Sequence, residues 1–244
     1  TFDGTESKVA ACVISNRGIL AQGAGPLALE GGLFNNAGAT YLLGDGARLD
    51  GGGVFFNYGV LLKSGPATAR IGCRLQNYDG LIEAQAGTLV LAGGGVLSGG
   101  RFEAAAGAML DLAGAAEDLL WRGLLTGQGS GVVQWAAGSL GPRSDAMLQF
   151  PVGLHWRGGT LRGQLVNLGL LQLDGTGTNI ICDGRLNNQR RIEQRGGTLQ
   201  LLGSGARSYC YNEAGAVYDF AADGLAGRGE GPWRLGQAGW RLLH

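Results

Sequence analysis

"NYGVLLKSGPATARIGCRLQNYDGLIE", residues 57–83, opens and closes on nearly the same words: Asn57-Tyr58-Gly59-Val60-Leu61 returns as Asn77-Tyr78-Asp79-Gly80-Leu81. The Asn-x-Gly phrase also stands upstream at Asn16-Arg17-Gly18 and Asn36-Ala37-Gly38, in steps of about twenty residues. It resumes at Asn167-Leu168-Gly169 and, without its glycine, at Asn187-Asn188. A glycine-rich chain with a period near twenty is the signature of a solenoid, because a unit this short cannot bury a core except by stacking on its neighbours.

A second phrase marks another side of each coil: "GTLVL" at 87–91, "GAMLDL" at 107–112 and "GTLQL" at 197–201. Alternating apolar residues predict short strands, and the glycine clusters between them predict turns. The pattern predicts an all-β fold, a single-stranded parallel β-helix (β-solenoid) with about 20 residues per coil, and one domain over residues 1–244. Roughly a dozen coils spaced at about 4.8 Å give a rod about 55 Å long.

Composition agrees. Glycine supplies 49 of 244 residues, about three times ordinary usage, as expected where every coil needs tight corners. Nineteen basic and nineteen acidic residues cancel, so no net field recruits nucleic acid or an anionic membrane. No apolar run approaches the roughly 18 residues of a membrane span. The basic stretch "RLNNQRRIEQR" at 185–195 reads as an anion-binding strip or as a solvated face. A longer period overlies the short one: "FNNAGATY" at 34–41 recurs as "YNEAGAVY" at 211–218. With no clear capping helix at either end, the chain is expected to be a fragment of a longer repeat protein whose super-repeat restarts near 200–211.

The phrases "FNNAGATY", "NYGVLLKSG", "NYDGLIEAQAGTLVLAGGG", "SGGRFEAAAGAMLDLAG" and "LHWRGGTLRGQLVNLGLLQLDGTGT" resemble the Asn/Gly-rich β-helical repeats of very large secreted or surface-displayed microbial and algal proteins, adhesin- or stalk-like and of the pectin-lyase-like superfold. The resemblance implies a right-handed helix, a secreted or cell-surface setting and a role in stalks, adhesin shafts or wall components. The spacing breaks at 115–122 and 141–152, which read as insertions.

Residues one coil apart lie above one another, so the repeat alignment is also a contact map. Asn16, Asn36, Asn57, Asn77, Asn167 and Asn187 fall in one column and predict an amide ladder, since each side chain both donates and accepts. Six residues after the asparagine comes Lys63, Glu83 or Glu193, and the glycine alignment adds Glu103. Lys63, Glu83 and Glu103 therefore predict a charge column, either an exposed row or an acid pair able to work on a polysaccharide or hold calcium. Tyr58 and Tyr78 form an aromatic pair, the candidate carbohydrate-binding residues. The tryptophans at 121, 135, 156, 233 and 240 share no column.

Cys12 and Cys73 occupy the same slot three coils apart, too far for a disulfide, and read as buried free thiols. Cys182 and Cys210 lie about one coil apart at different offsets, which leaves their pairing open. Catalytic signals are thin. His155 has no evident charge-relay partners, "DGTGT" at 174–178 reads as a β-turn, and no spacing suggests zinc or any other cofactor. The expected role is a non-catalytic structural or adhesive module, stacked on neighbouring repeats or on copies of itself. The alternatives are a polysaccharide-binding or polysaccharide-cleaving β-helix and an ice-binding solenoid; the latter needs a flat threonine array, where this chain offers only Thr176-Gly177-Thr178.

Overall fold

The computed structural model describes residues 1–114, 119–203 and 208–220, together with the backbone of three short strands, Gly227–Arg228, Arg234–Leu235 and Trp240–Arg241. A twelve-stranded sheet runs from Lys8–Ala10 to Trp240–Arg241, a fifteen-stranded sheet begins with Ile14–Asn16, and a five-stranded sheet runs from Ser139–Leu140 to Gly227–Arg228. Hydrogen-bonded neighbours come from successive coils and pair in parallel. The chain is thus a parallel β-solenoid. Strand alternation sets its core: Leu27 and Leu29, Leu33 and Asn35, Tyr41 and Leu43 all point inward from their strands and are buried. Leu33, Phe55 and Leu75 then stack in register as one interior column.

Two inward-facing amide ladders hold the corners. In the first, the Asn16 Nδ2 donates to the Asn35 Oδ1 at 2.8 Å, Asn35 to Asn57 at 2.8 Å, and Asn57 to Asn77 at 2.7 Å. Each amide also reaches a carbonyl just past the next corner: Asn16 to Thr40, Asn35 to Val60 and Asn57 to Leu81. The ladder member is Asn35, not Asn36. Strand alternation turns Leu33 in, Phe34 out and Asn35 in, so Asn36 lies one step beyond the interior and instead donates to the backbone carbonyl of Asn16. The second ladder joins Asn167 to Asn188 at 2.8 Å and Asn188 to Asn212 at 2.6 Å. The same alternation excludes Asn187, which faces outward between Leu186 and Asn188.

These ladders are not one column. Below Asn77 the register continues through Leu97 to Trp121, whereas above Asn167 it runs through Leu148 to Leu125 and Gly100. A register shift between Ser98 and Gly100 separates the two paths. Gly99 and Gly100 there adopt φ of +67° and +112°, and a Cβ on Gly99 would lie 2.0 Å from the Asp79 carboxylate, so only glycine fits the bulge. The super-repeat nonetheless rebuilds the same corner. Ala39 N donates to Asn36 O at 2.9 Å and Ala216 N to Glu213 O at 3.0 Å, while Tyr41 and Tyr218 each donate to a buried glutamine, Gln22 and Gln194, at 2.8 Å.

Between the ladders the core is filled by indoles. Trp135 and Trp156 occupy one registered column and stack at 4.7 Å with 2° between their planes, and Trp121 tilts against Trp135 at 5.3 Å. This corrects the expectation of unrelated tryptophans; Trp233 and the side chain of Trp240 lie outside the described residues. The two expected insertions are likewise largely part of the stack: Leu119 bridges Leu140, Leu120–Thr126 is a strand, and Asp145–Gln149 pairs with strands on both sides. Residues 115–118 lie outside the described residues.

Lys63 leaves its expected column. Asn77-Tyr78-Asp79-Gly80 is one residue longer than Asn57-Tyr58-Gly59, with Asp79 accommodated at φ 52°. Glu83 and Glu103 do register with each other, but above them stands Leu62, and Lys63 stacks on Ala84 inside the coil. The buried ammonium donates to the Ser64, Gly65 and Ala86 carbonyls. Burial lowers its pKa, and Asp45 opposes the shift.

Register does place Cys12 and Cys73 in one slot, with Gly31 and Gly53 between them. All four cysteines are free thiols; Cys73 is buried, but Cys12 is exposed because it lies in the first coil. Burial pushes the Cys73 and Cys210 thiols up to about 12 and raises the Tyr41 and Tyr218 phenols further.

Asn57→Leu removes an interior rung and leaves the Asn35 donor and the Asn77 acceptor short of a partner, so chemical denaturation should show a loss of about 1–3 kcal/mol. Asn187→Ala, on the outer face, should change stability by less than about 0.5 kcal/mol. The raised acids stabilise the fold below their unfolded pKa values and withdraw that stability as pH rises toward their folded ones; Lys63 acts in the opposite sense, and four groups outweigh one. The melting temperature should therefore fall between about pH 9 and 11, each thiol contributing up to about 1.4 kcal/mol per pH unit, and the Cys73→Ala/Cys210→Ala double variant should fall less steeply.

Candidate functional site

The densest polar constellation lies on the outer face of the twelve-stranded sheet. Asp111, Gln134, His155, Gln172, Glu193 and Asp219 occupy one registered column over six coils. Each is the middle residue of a triplet whose outer members point inward: "LDL" at 110–112, "VQW" at 133–135, "LHW" at 154–156, "LQL" at 171–173, "IEQ" at 192–194 and "YDF" at 218–220. Outward-facing strand residues are ordinarily solvated, yet Asp111, Gln134, Gln172, Glu193 and Asp219 are all below 9% exposed.

Hydrogen bonds explain how these groups tolerate burial. Asp111 accepts from the Ala113 and Gly114 amides and from Gln134 Nε2 at 3.4 Å. Arg157 bridges two coils, donating from Nη1 to Gln134 Oε1 at 2.9 Å and from Nε to Asp174 Oδ1 at 3.3 Å. The other Asp174 oxygen lies 2.5 Å from His155 Nδ1, so the turn aspartate of "DGTGT" serves as the partner that sequence spacing did not assign to this histidine. Further along, Glu193 meets Gln172 at 3.2 Å, Arg191 at 2.8 Å and Arg195 at 2.6 Å, and Arg191 also reaches Asp219 at 2.7 Å. Two arginines of the basic strip at 185–195 are thereby neutralised.

This arrangement favours an ionised Glu193. Burial alone would raise the Glu193 pKa, but the Gln172 hydrogen bond and the Arg195 and Arg191 charges outweigh it and hold the group below the usual carboxylate value. A hydrolytic acid–base pair instead needs two carboxyls whose environments push their pKa values apart. Among the described residues no group of three His, Cys, Asp or Glu side chains is placed to hold a metal ion. The column is a charge-compensated lattice that ties coil to coil.

The sequence-derived candidates sit elsewhere. Tyr58 and Tyr78 stack at 5.2 Å with 17° between planes and are 42% and 36% exposed; beside them Phe34 and Phe56 stack at 4.5 Å. Glu103 is held by Arg101 at 2.8 Å, and Lys63 takes no part in the outer row. The lattice column escaped sequence reading because alignment on asparagine follows the corners, whereas its own signal is one polar residue between inward-facing neighbours, which any half-exposed strand shows.

Comparison of the chain with protein-family models, curated proteins and solved structures finds no match. What the geometry defines is a parallel β-solenoid whose laddered asparagines recur every 19 to 24 residues.

The lattice has a pH signature. A carboxylate with a depressed folded pKa stabilises above its unfolded value and loses that contribution as pH falls through the folded one. Glu193→Gln should cost about 2 kcal/mol at pH 7, and its stability should decline less than that of the wild type from about pH 5 to pH 3 in urea titrations.

Proposed function

We propose that the protein is a non-catalytic structural or adhesive solenoid module of an extracellular or cell-surface assembly, in which its first coil receives another coil of the same kind. One observation carries the stacking: the first ladder ends in an acceptor of the right type. Asn35, Asn57 and Asn77 each accept, at Oδ1, the amide of the coil before, whereas among the described residues the Asn16 Oδ1 accepts only the nearby Gly18 amide at 3.2 Å. In the same coil Val9, Val13 and Ile19 are 68%, 69% and 75% exposed, a concentration of uncovered apolar side chains. Strands Lys8–Ala10 and Ile14–Asn16 have one described neighbour each, and Phe2 covers only the end of Ile19–Gln22. An edge of this kind is a template for a further parallel strand. Support for the extracellular setting comes from the resemblance of the repeat phrases. The stacked Tyr58–Tyr78 pair favours a second, carbohydrate-binding reading, since exposed aromatic faces suit the apolar faces of sugars.

Electron microscopy of the concentrated chain should show rods longer than one unit, shortened to single units by Val13→Lys with Ile19→Lys. Single rods in the wild type would remove self-stacking, and calcium-dependent cleavage of an acidic polysaccharide would overturn the non-catalytic assignment.

A further inference from the structure

A groove of about 370 Å3 opens on the outer surface where the five-stranded sheet turns into the fifteen-stranded one, lined by Pro142, Arg162, Gln164, Asp183, Arg185 and Tyr209 together with Gly163 and Gly184. Gln164, Arg185 and Tyr209 are in register on three successive coils, so their side chains form one wall along the solenoid axis. Arg162 and Asp183 stand at the corner beside them, Asp183 in the left-handed region at φ 53°, where its amide donates to Ser208 Oγ at 2.8 Å. The volume is at the lower end of ligand sites, enough for one or two sugar rings.

The lining differs in kind from the polar lattice. There Arg157, Arg191 and Arg195 are each committed to carboxylates. In the groove, neither Arg162 nor Arg185 enters an ion pair among the described residues. Two guanidinium groups against the single Asp183 leave the lining cationic. Arg185 is also held in place: its guanidinium carbon lies 5.5 Å from the Tyr209 ring centre and 5.7 Å from that of Tyr211, and those rings stack on each other at 5.3 Å. A guanidinium lying over aromatic faces keeps its N–H edges directed sideways, the geometry in which it meets an oxyanion with two parallel hydrogen bonds. Tyr209 adds an aromatic surface and Gln164 an amide able to donate to and accept from hydroxyls.

We propose that this groove is a binding site for an anionic glycan, with Arg185 and Arg162 taking the carboxylate or sulfate and Tyr209 and Gln164 taking the sugar ring. The site is separate from Tyr58 and Tyr78, and the inference holds whether or not the solenoid stacks end to end.

Calorimetric titration of the full chain with an oligogalacturonate, a sulfated galactan oligosaccharide and a neutral galactan tests it. Saturable binding of at least one anionic glycan is expected, weakening with salt, with the neutral chain bound at least about tenfold less; whichever anion binds more tightly identifies the group recognised. Arg185→Ala and Arg162→Ala should each weaken binding at least about tenfold with an unchanged melting curve, and Arg185→Lys should fail to restore it because the planar fork is lost. Absence of binding to both anionic chains, equal binding of the neutral one, or wild-type affinity in both alanine variants overturns the assignment.

Discussion

A side-chain amide placed inside a coil must find both a donor and an acceptor, and in this protein the neighbouring coils supply them. Each asparagine with a laddered neighbour in the next coil donates to that neighbour's amide and to a carbonyl just beyond the neighbour's corner, as Asn35 does to Asn57 and to Val60. That pair of bonds fixes where the corner turns regardless of how many residues it takes. Two residues separate Asn57 from Val60, three separate Asn77 from Leu81, and four separate Asn35 from Thr40, yet all three carbonyls receive the same kind of bond. Because an unsatisfied buried amide costs about as much as several surface interactions contribute, the strands on either side are held in register by the corner.

The constraint also explains where the architecture changes. The first ladder ends at Asn77, whose amide turns to the Gly80 and Gly99 carbonyls because Leu97 stands in the next position. The second begins at Asn167 in a different column. In the coils between, with no amide to set the corner, a glycine bulge shifts the register and the interior is filled by Trp121, Trp135 and Trp156. Stacked indoles contribute area and about 0.5–1.5 kcal/mol per pair beyond it, and the Trp135 and Trp156 N–H groups are met by carbonyls two residues on, Ala137 and Gly158. Trp121 Nε1 and both amide atoms of Asn179 are buried without a hydrogen bond among the described residues; the registered neighbours of Asn179, Gly159 and Leu199, have no side-chain amide to offer.

Polar chemistry outside the core divides by how fully the cations are matched. Along the twelve-stranded sheet, arginines and carboxylates compensate one another over successive coils and the result is cohesion. Around Arg162 and Arg185 the surface is concave and the Arg185 guanidinium is backed by aromatic rings. The same residue type therefore serves packing in one place and, in the proposed glycan groove, recognition in the other.

The twenty-residue period, the alternation of apolar positions and the glycine-marked corners were legible in the sequence, because stacking identical coils is the only way such short units bury a core. So were the Tyr58–Tyr78 stack and the shared slot of Cys12 and Cys73. Single-residue register was not. Asn35 and Asn36, Asn187 and Asn188, and Lys63 and Glu83 are each one step from the alternative, and one step turns a side chain from the interior to the surface. Corner length decides that step, and corner length depends on which backbone carbonyl the buried amide reaches in the next coil. Sequence alone determined the repeat and hence the solenoid; tertiary structure decided which asparagine faces inward, that the two ladders occupy different columns, and which arginines have no carboxylate partner among the described residues, because each depends on contacts between coils that the order of residues along one coil does not contain.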